Sequence, residues 1–132
     1  MSQKHTIQVK GKKIDTKTVY KDWRRLVNMS LGELRRYYDS KDGKQSGLSR
    51  AEAKRQGINR GRQSARWIMK MKPLGRSLSS AKKNWTPTMW WWADKQVRFI
   101  KRMKGVKGAL TKDGKRTPKY KALLIWGHNP KK

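Results

Sequence analysis

The sequence predicts a mainly α-helical fold, a small domain of about five helices with a short hairpin and basic flexible margins. Apolar residues recur at spacings of three and four along several stretches, which is the helical period. Ser-x-x-Glu and Thr-Pro pairs stand where such stretches begin, as helix start signals do. Hydrophobic residues make up only 34% of the chain, but seven Trp, four Tyr and one Phe supply bulk for a core, since each aromatic ring buries roughly 150–250 Å².

Turn signals and composition divide the chain into four regions. Residues 1–15 form a basic N-terminal arm, and residues 16–73 form a helical subdomain with a helix-turn-helix-like hairpin. Residues 74–85 form a linker, and residues 86–132 contain a Trp-rich helix followed by a C-terminal loop and helix. In the arm, apolar residues alternate around a Lys-Gly pair, a weak pattern for a short strand or turn that orders only on a partner. The residues of this pattern are Ile7, Val9, Lys10, Gly11 and Ile14.

The helical subdomain opens with an apolar stripe at helical spacing. The stripe consists of Val19, Trp23, Leu26 and Val27. Ser30 and Glu33 then form a capping box, which starts a second helix by satisfying two of its free backbone N–H groups. We expect that helix to end in the turn-rich loop SKDGKQSG.

Two further helices, separated by a glycine turn, have the spacing of a helix-turn-helix unit. A second capping box at Ser49 and Glu52 starts the first of them, and Gly57 stops it. The second helix should end before Pro73, because the residue preceding a proline disfavours the helical conformation. Its apolar residues are Ala65, Trp67, Ile68 and Met71.

Basic residues of this unit and of the following segment are candidates for contacts with DNA. The functional interpretation places Arg60, Arg62 and Arg66 beside a DNA groove or its phosphates. An ordinary helical hairpin is the favoured alternative, because no Asn or Gln pair stands where base reading would need it. Residues 74–85 form a flexible polar linker that carries Lys82 and Lys83 and divides two subdomains.

The Trp-rich helix, residues 86–105, carries start and stop signals at both ends. Thr86 caps its first amide groups, Pro87 occupies the first helical position, and Gly105 supplies a left-handed stop. Its apolar side consists of Met89, Trp92, Ala93, Gln96, Val97, Phe99, Ile100 and Met103, and its basic side of Lys95, Arg98 and Arg102. Because residues step by about 100° around a helix, three consecutive tryptophans cannot all face inward. At least one of them should lie at a boundary or on a partner.

The C-terminal region repeats the same signals. The Asp113-Gly114 pair predicts a turn, with a short hairpin or an ordered loop over residues 109–116. Residues 117–118 repeat the Thr-Pro start signal, and Gly127 repeats the stop. The helix between them has a strongly apolar side and should pack against the Trp-rich helix. His128 follows the stop and is expected to be a capping or surface group.

The charge of the chain indicates a polyanionic partner. There are 36 Lys and Arg against 8 Asp and Glu, a net charge of +28 on 132 residues. Nucleic acid is favoured over an anionic membrane, because each neutralised phosphate releases condensed counterions. No apolar run approaches the roughly 20 residues that span a bilayer, and the absence of cysteine fits a reducing compartment or a virus particle assembled in one. We therefore expect the protein to be soluble or bound in an assembly, with no membrane partner.

Catalysis is not expected. Metal-dependent nuclease or phosphoryl-transfer chemistry usually needs clustered carboxylates, whereas the eight of this chain are scattered along it. There is no Walker-type glycine loop and no cysteine nucleophile. No cofactor and no metal are therefore predicted, and the candidate site is one of nucleic-acid binding. Its candidate residues are Lys95, Arg98, Arg102, Arg60, Arg62, Arg66, Lys82, Lys83, Lys115, Arg116 and Trp91.

A set of short motifs carries a resemblance to a known family. The chain contains GLSRAEA, GINRGRQSAR, RMKG at 102–105, GKRT at 114–117 and ALLIWG at 122–127. With these motifs in this order, the chain resembles a family of small basic proteins encoded by tailed bacteriophages and related viruses. The chain departs from the family at Pro118-Lys119, where related sequences often have Thr-Arg after the proline. The resemblance implies a viral origin, with a location in the virion or host cytoplasm, and no particular chemistry.

Three functions remain open. The first is a DNA-binding or DNA-organising phage protein that contacts the phosphate backbone, associated with the genome or the particle. The second is a virion structural protein, a head or tail adaptor or cement subunit that docks on an acidic protein surface. The third is a ribosomal or other RNA-bound protein. DNA is favoured over RNA because of the viral resemblance, and the oligomeric state is left open.

Overall fold

The computed structural model describes residues 6–44 and 60–131. The helices are α1 (Thr16–Leu26), α2 (Leu31–Asp39), α3 (Lys41–Lys44), α4 (Arg60–Leu74), α5 (Leu78–Asn84), α6 (Pro87–Gly105) and α7 (Pro118–Ile125). The strands are β1 (Thr6–Val9), β2 (Lys12–Asp15), β3 (Thr111–Lys112) and β4 (Lys115–Arg116). The prediction of a mainly α fold with a short hairpin is confirmed, with seven helices in the described ranges where about five were expected.

The core forms between α1 and α6 around a buried indole. Trp23 of α1 is completely buried, and its ring meets that of Trp85 edge to face with centroids 4.9 Å apart. The indole Nε1–H donates a hydrogen bond to Oε1 of Gln96 on α6, at 2.7 Å. Gln96 is itself fully buried, so each polar group supplies the partner that the other needs away from water. This pairing fixes α1 against the Trp-rich helix.

The N-terminal arm is an ordered hairpin within the described residues. β1 and β2 pair antiparallel, with Ile7 opposite Ile14, and the turn is made by Lys10 and Gly11, which both have positive φ. Val9 and Ile14 are buried in the same core as the helices. The expectation that this arm orders only on a partner is therefore wrong from residue 6 onward, because its alternating side chains bury one face on α1 and α6.

The first capping box forms as predicted. Oγ of Ser30 accepts from the backbone N–H of Glu33 at 3.1 Å, and Oε1 of Glu33 accepts from that of Ser30 at 2.9 Å. After α2 the predicted loop begins instead with the short helix α3. The second capping box, Ser49 and Glu52, and the stop at Gly57 lie outside the described residues, and so does the first helix of the helix-turn-helix-like unit.

The predicted linker is wrong, since residues 78–84 form α5. Oγ of Ser77 caps this helix by accepting from the backbone N–H of Ser80 at 3.1 Å, and Ala81 is fully buried. Trp85 lies in the core, and its Nε1–H donates to the carbonyl of Met71 at 2.9 Å. The segment does not divide two subdomains, because one apolar cluster contains residues from both sides of it.

Helix α4 runs past the point where the sequence predicted its end. It includes Pro73 in its last turn and ends at Leu74. Although Pro73 cannot donate a backbone hydrogen bond, the N–H of Gly75 still bonds the carbonyl of Met71 at 2.9 Å. The backbone hydrogen bonds of the helix therefore continue past the proline.

Both ends of α6 lie where the sequence predicted them, but the predicted left-handed conformation of Gly105 is wrong. Oγ1 of Thr86 accepts from the N–H of Met89 at 3.2 Å, and Pro87 is the first helical residue. Gly105 is the last helical residue and has no positive φ; the stop is the extended conformation of Val106. A left-handed glycine is thus unnecessary here, because the chain leaves the helix in the β region.

The three consecutive tryptophans divide as the helical step requires. Trp90 and Trp92 are buried, whereas Trp91 is half-buried at the edge of the core. This confirms the prediction that at least one of them lies at a boundary. Phe99 and Met103, predicted on the apolar side, are half-buried and pack against the core from outside.

The C-terminal signals are confirmed. Asp113 and Gly114 form the turn between β3 and β4, both with positive φ. Oγ1 of Thr117 caps α7, and Gly127 follows that helix with a φ of +87°. Side chains of α7 join the core between α2, α4 and α6.

His128 is buried, so of the two expected roles, a capping or a surface group, the structure confirms the capping one. Its Nδ1 lies 2.6 Å from the carbonyl oxygen of Leu26, in the last turn of α1. Because a carbonyl oxygen only accepts, Nδ1 carries the proton and donates. The ring therefore caps α1 from the far end of the chain, which the sequence position alone does not reveal.

Acid should destabilise the fold through His128. Burial is the main cause that lowers the pKa of His128 below the ordinary 6.5, so below that pH the unfolded chain binds more protons than the folded one. The stabilising contribution is complete above about pH 6.5 and is lost as the pH falls through the lowered folded-state pKa. Urea unfolding at a series of pH values should show this loss. In His128→Gln the pH dependence over this window should be smaller, and an unchanged dependence would contradict the assignment.

Candidate nucleic-acid interface

Four candidate residues line one groove on the polar side of α6. Trp91, Lys95, Arg98 and Arg102 stand about one helical turn apart and border a concave space of about 250 Å³. Lys12 of β2 borders the same space from the hairpin. The lining of this α6 groove consists of Lys12, Trp91, Asp94, Lys95, Arg98, Phe99 and Arg102.

Positive charge dominates the groove. Lys12, Lys95, Arg98 and Arg102 contribute four cations, while Asp94 supplies the one carboxylate among the described residues that line it. Asp94 is largely buried and accepts from the ammonium of Lys12 and, at 3.2 Å, from Nε of Arg98. The carboxylate thus holds one cation from the hairpin and one from α6 at the same place. The cations of the groove therefore surround a carboxylate that belongs to the protein itself.

Trp91 lies beside these cations. The Nζ atoms of Lys10 and Lys95 lie 4.4 and 5.1 Å from the centroid of its ring, within the range of cation–π attraction. The side chain of Arg98 is 65% exposed, and Arg102 is exposed as well. An indole surrounded by cations combines the two kinds of group that nucleic-acid grooves use.

Sequence reasoning missed the contribution of the hairpin. Lys10 and Lys12 reach α6 because the turn at Lys10-Gly11 folds β1 onto β2 and both strands pack against the helix. The alternation around this turn signals a hairpin, but no local pattern says which helix it packs against.

The arginines of α4 lie on another surface. Arg62 is bound within the protein: its Nη1 donates to the carbonyl oxygens of Tyr38 and Gly43 at 2.8 and 3.1 Å, and its guanidinium lies over the Tyr38 ring at 3.7 Å. Arg62 thus joins α4 to α2 and α3, and its contact with DNA stays a prediction. Arg66 is exposed and donates to Oη of Tyr38 at 2.8 Å. Arg60 begins α4, and its side chain is not described.

The other candidates are separate from the α6 groove. Lys82 and Lys83 are exposed in the last turn of α5. Lys115 and Arg116 border a second space of about 470 Å³, where Nη1 of Arg116 pairs with Asp42 at 3.1 Å. Arg116 therefore has an internal partner, and the structure divides the candidate residues among several surfaces.

The carboxylates of the described residues form no metal site. No group of three or more His, Cys, Asp or Glu within residues 6–44 and 60–131 could hold a metal ion. Two of the carboxylates have structural roles instead. Asp15 caps α1 by accepting from the N–H of Thr18 at 3.1 Å, and Asp22 accepts from Lys101 of α6 at 2.9 Å.

Comparisons with known proteins leave the chain to be interpreted from its own structure. Neither a protein-family model, nor a curated protein, nor a solved structure matches it. In the part of the chain that the structure describes, no helix has the length and apolar character needed to cross a membrane.

Proposed function

We propose that this protein is a non-enzymatic nucleic-acid-binding protein that contacts the phosphate backbone through the α6 groove. In this proposal DNA is favoured over RNA, and the protein associates with the genome or particle of a tailed bacteriophage. The observation that carries it is the convergence of four cations, from β2 and α6, around one concave space beside Trp91. The excess of 36 basic over 8 acidic residues supplies the long-range attraction.

The basic row of α6, which consists of Lys95, Arg98 and Arg102, suits a phosphate backbone. Lys95 and Arg102 are seven residues apart, which at a rise of about 1.5 Å per residue is about 10 Å along the axis. Side chains of this reach follow consecutive phosphates of a strand, and they position the protein without reading sequence. Asp94 pairs with Lys12 and Arg98 in the free protein, and an arriving phosphate replaces it.

Binding should depend steeply on salt and on the basic row of α6. The test variant replaces Lys95, Arg98 and Arg102 with Gln, which removes charge without opening a core cavity. Its affinity for nucleic acid should fall, and the slope of log K against log salt should become shallower by about one unit for each phosphate contact that the substitutions remove. Fluorescence anisotropy with a labelled duplex at 50 to 200 mM salt measures both. If the wild-type protein contacts six to ten phosphates, its affinity should fall by roughly a thousandfold or more over this salt range.

The matched control replaces Lys17, Lys21 and Arg24 with Gln. These exposed residues lie on the outer side of α1 at similar helical spacing, and their replacement removes the same net charge. The control should weaken binding less and leave the slope nearly unchanged. Equal losses of affinity in both variants would indicate that the overall positive charge of the protein, and not the α6 groove, attracts the nucleic acid. Salt-insensitive binding, or none, would instead favour the alternative function, a virion structural protein docked on an acidic protein surface.

A further inference from the structure

We infer that the α6 groove binds single-stranded nucleic acid, with a nucleobase stacked on the indole of Trp91 and the adjoining phosphates on the surrounding cations. This inference rests on the proposed function and adds the strandedness of the ligand and the group that contacts its bases. It makes Trp91 the residue that contacts a base, and it makes the neighbouring Lys10 and Lys95 residues that contact the adjoining phosphates.

The burial of Trp91 differs from that of the tryptophans in the core. Trp23 and Trp85 are buried, and both donate their Nε1–H to protein acceptors. Trp91 is half-buried on the polar side of α6, and its ring meets that of Trp92 edge to face at 5.2 Å. A large aromatic ring gains most from full burial, and the part of Trp91 that stays exposed lies among the cations of the α6 groove.

The contacts of Trp91 with lysine are suited to exchange. A cation–π pair at an exposed site contributes only about 0.5–1 kcal/mol, and a phosphate is a stronger partner for an ammonium group. When a strand enters the groove, Lys10 and Lys95 turn to its phosphates and uncover the ring face. Phe99 is less suited to this role, because one face of its ring already lies parallel to Trp126 with centroids 4.2 Å apart.

A stacked base implies a single strand. In a duplex the bases are stacked on one another, so a side chain outside the helix reaches their edges in the grooves. In a single strand the faces of the bases are open to aromatic side chains, and because every base has such a face, the contact tolerates any sequence. The cations of the groove would serve either ligand, but Trp91 contributes only to the single strand.

Three labelled probes of equal length separate base stacking from phosphate binding. They are an oligothymidylate of about 15 nucleotides, within the range of site sizes of single-strand grooves, an abasic strand with the same phosphates, and a duplex. Trp91→Ala should lower the affinity for oligothymidylate by about 5- to 150-fold, as expected for the loss of one stacked base. Affinity for the abasic strand and for the duplex should stay as in the wild type.

Two further variants separate stacking from a structural role of Trp91. Trp91→Leu keeps an apolar contact with Trp92 but removes the flat ring, so it should lose affinity for oligothymidylate as the alanine variant does. Trp91→Phe should retain most of that affinity. Wild-type binding of oligothymidylate by Trp91→Leu would overturn the inference.

The outcomes distinguish this inference from the proposed function. If Trp91→Ala weakens all three probes equally, or none of them, the stacking inference is overturned while salt-dependent binding of phosphates by the wild type still supports the proposed function. If the wild type binds none of the probes in a salt-dependent way, the proposed function fails first and the inference fails with it.

Discussion

Trp23→Ala should lower the free energy of unfolding by roughly 3–5 kcal/mol, the range for large-to-small changes at buried aromatic residues. The indole of Trp23 is completely buried, its ring centroid lies 4.9 Å from that of Trp85, and it bonds Gln96 at 2.7 Å. Its removal opens a cavity between α1 and α6. It also leaves Oε1 of Gln96 buried without its donor, which adds about 1–3 kcal/mol where no water enters.

Urea denaturation followed by circular dichroism measures this destabilisation. Trp23→Phe keeps much of the apolar volume but removes the Nε1–H, so the difference between the two variants separates cavity from hydrogen bond. Trp91→Ala is the boundary control and should have a small effect, because its ring is half-buried at the edge of the core. Equal destabilisation in Trp23→Ala and Trp91→Ala would mean that α6 is rotated about its axis, so that Trp91 faces the core.

Local signals predicted much of the fold. The capping box of Ser30 and Glu33, the Thr-Pro start of α6 and the stop at Gly127 depend only on residues a few positions apart. Such bonds form within one turn of chain, so the sequence is sufficient to locate them. Gly105 is the exception, since an extended residue after a helix can stop it equally well.

Tertiary contacts account for what local signals missed. Residues 74–85 look polar and flexible, but one buried alanine and the indole of Trp85 tie them to the core. His128 looks like a terminal surface residue, but its acceptor, the carbonyl of Leu26, is 102 positions away. Partners this distant in sequence leave no periodic signal.

The candidate site also combines features that local signals predict with features that depend on tertiary contacts. Trp91, Lys95, Arg98 and Arg102 share one helix, so their spacing predicts that they share one side of it. Lys12 reaches this side across 82 positions of sequence to Asp94. Arg62 fits the basic pattern of a DNA contact equally well, yet the carbonyl oxygens of Tyr38 and Gly43 bind it inside the fold. Charge alone does not distinguish a ligand-binding arginine from a structural one.

Gly127→Ala should be the second large destabilisation, about 2–5 kcal/mol, the sum of a conformational and a packing cost. The φ of +87° at Gly127 is in the region that costs an L-residue about 1–2 kcal/mol. An added Cβ would lie 2.9 Å from Cγ1 of Val27 and 3.0 Å from Cδ1 of Ile68. Both neighbours are buried in the core, and overpacking of this kind costs typically about 1–3 kcal/mol.

Gly11→Ala is the matched control for this substitution. Gly11 has a similar φ of +75°, but an added Cβ there meets no atom within 4 Å. It should therefore show only the conformational cost, and the difference between the two variants in urea unfolding measures the packing of Gly127 against Val27 and Ile68. The carbonyl of Gly127 also accepts from the N–H of Met29 at 3.2 Å, so the end of α7 contacts the segment that follows α1. A larger destabilisation at Gly127 than at Gly11 would show that this contact is tightly packed. Equal destabilisation at the two glycines would contradict that packing.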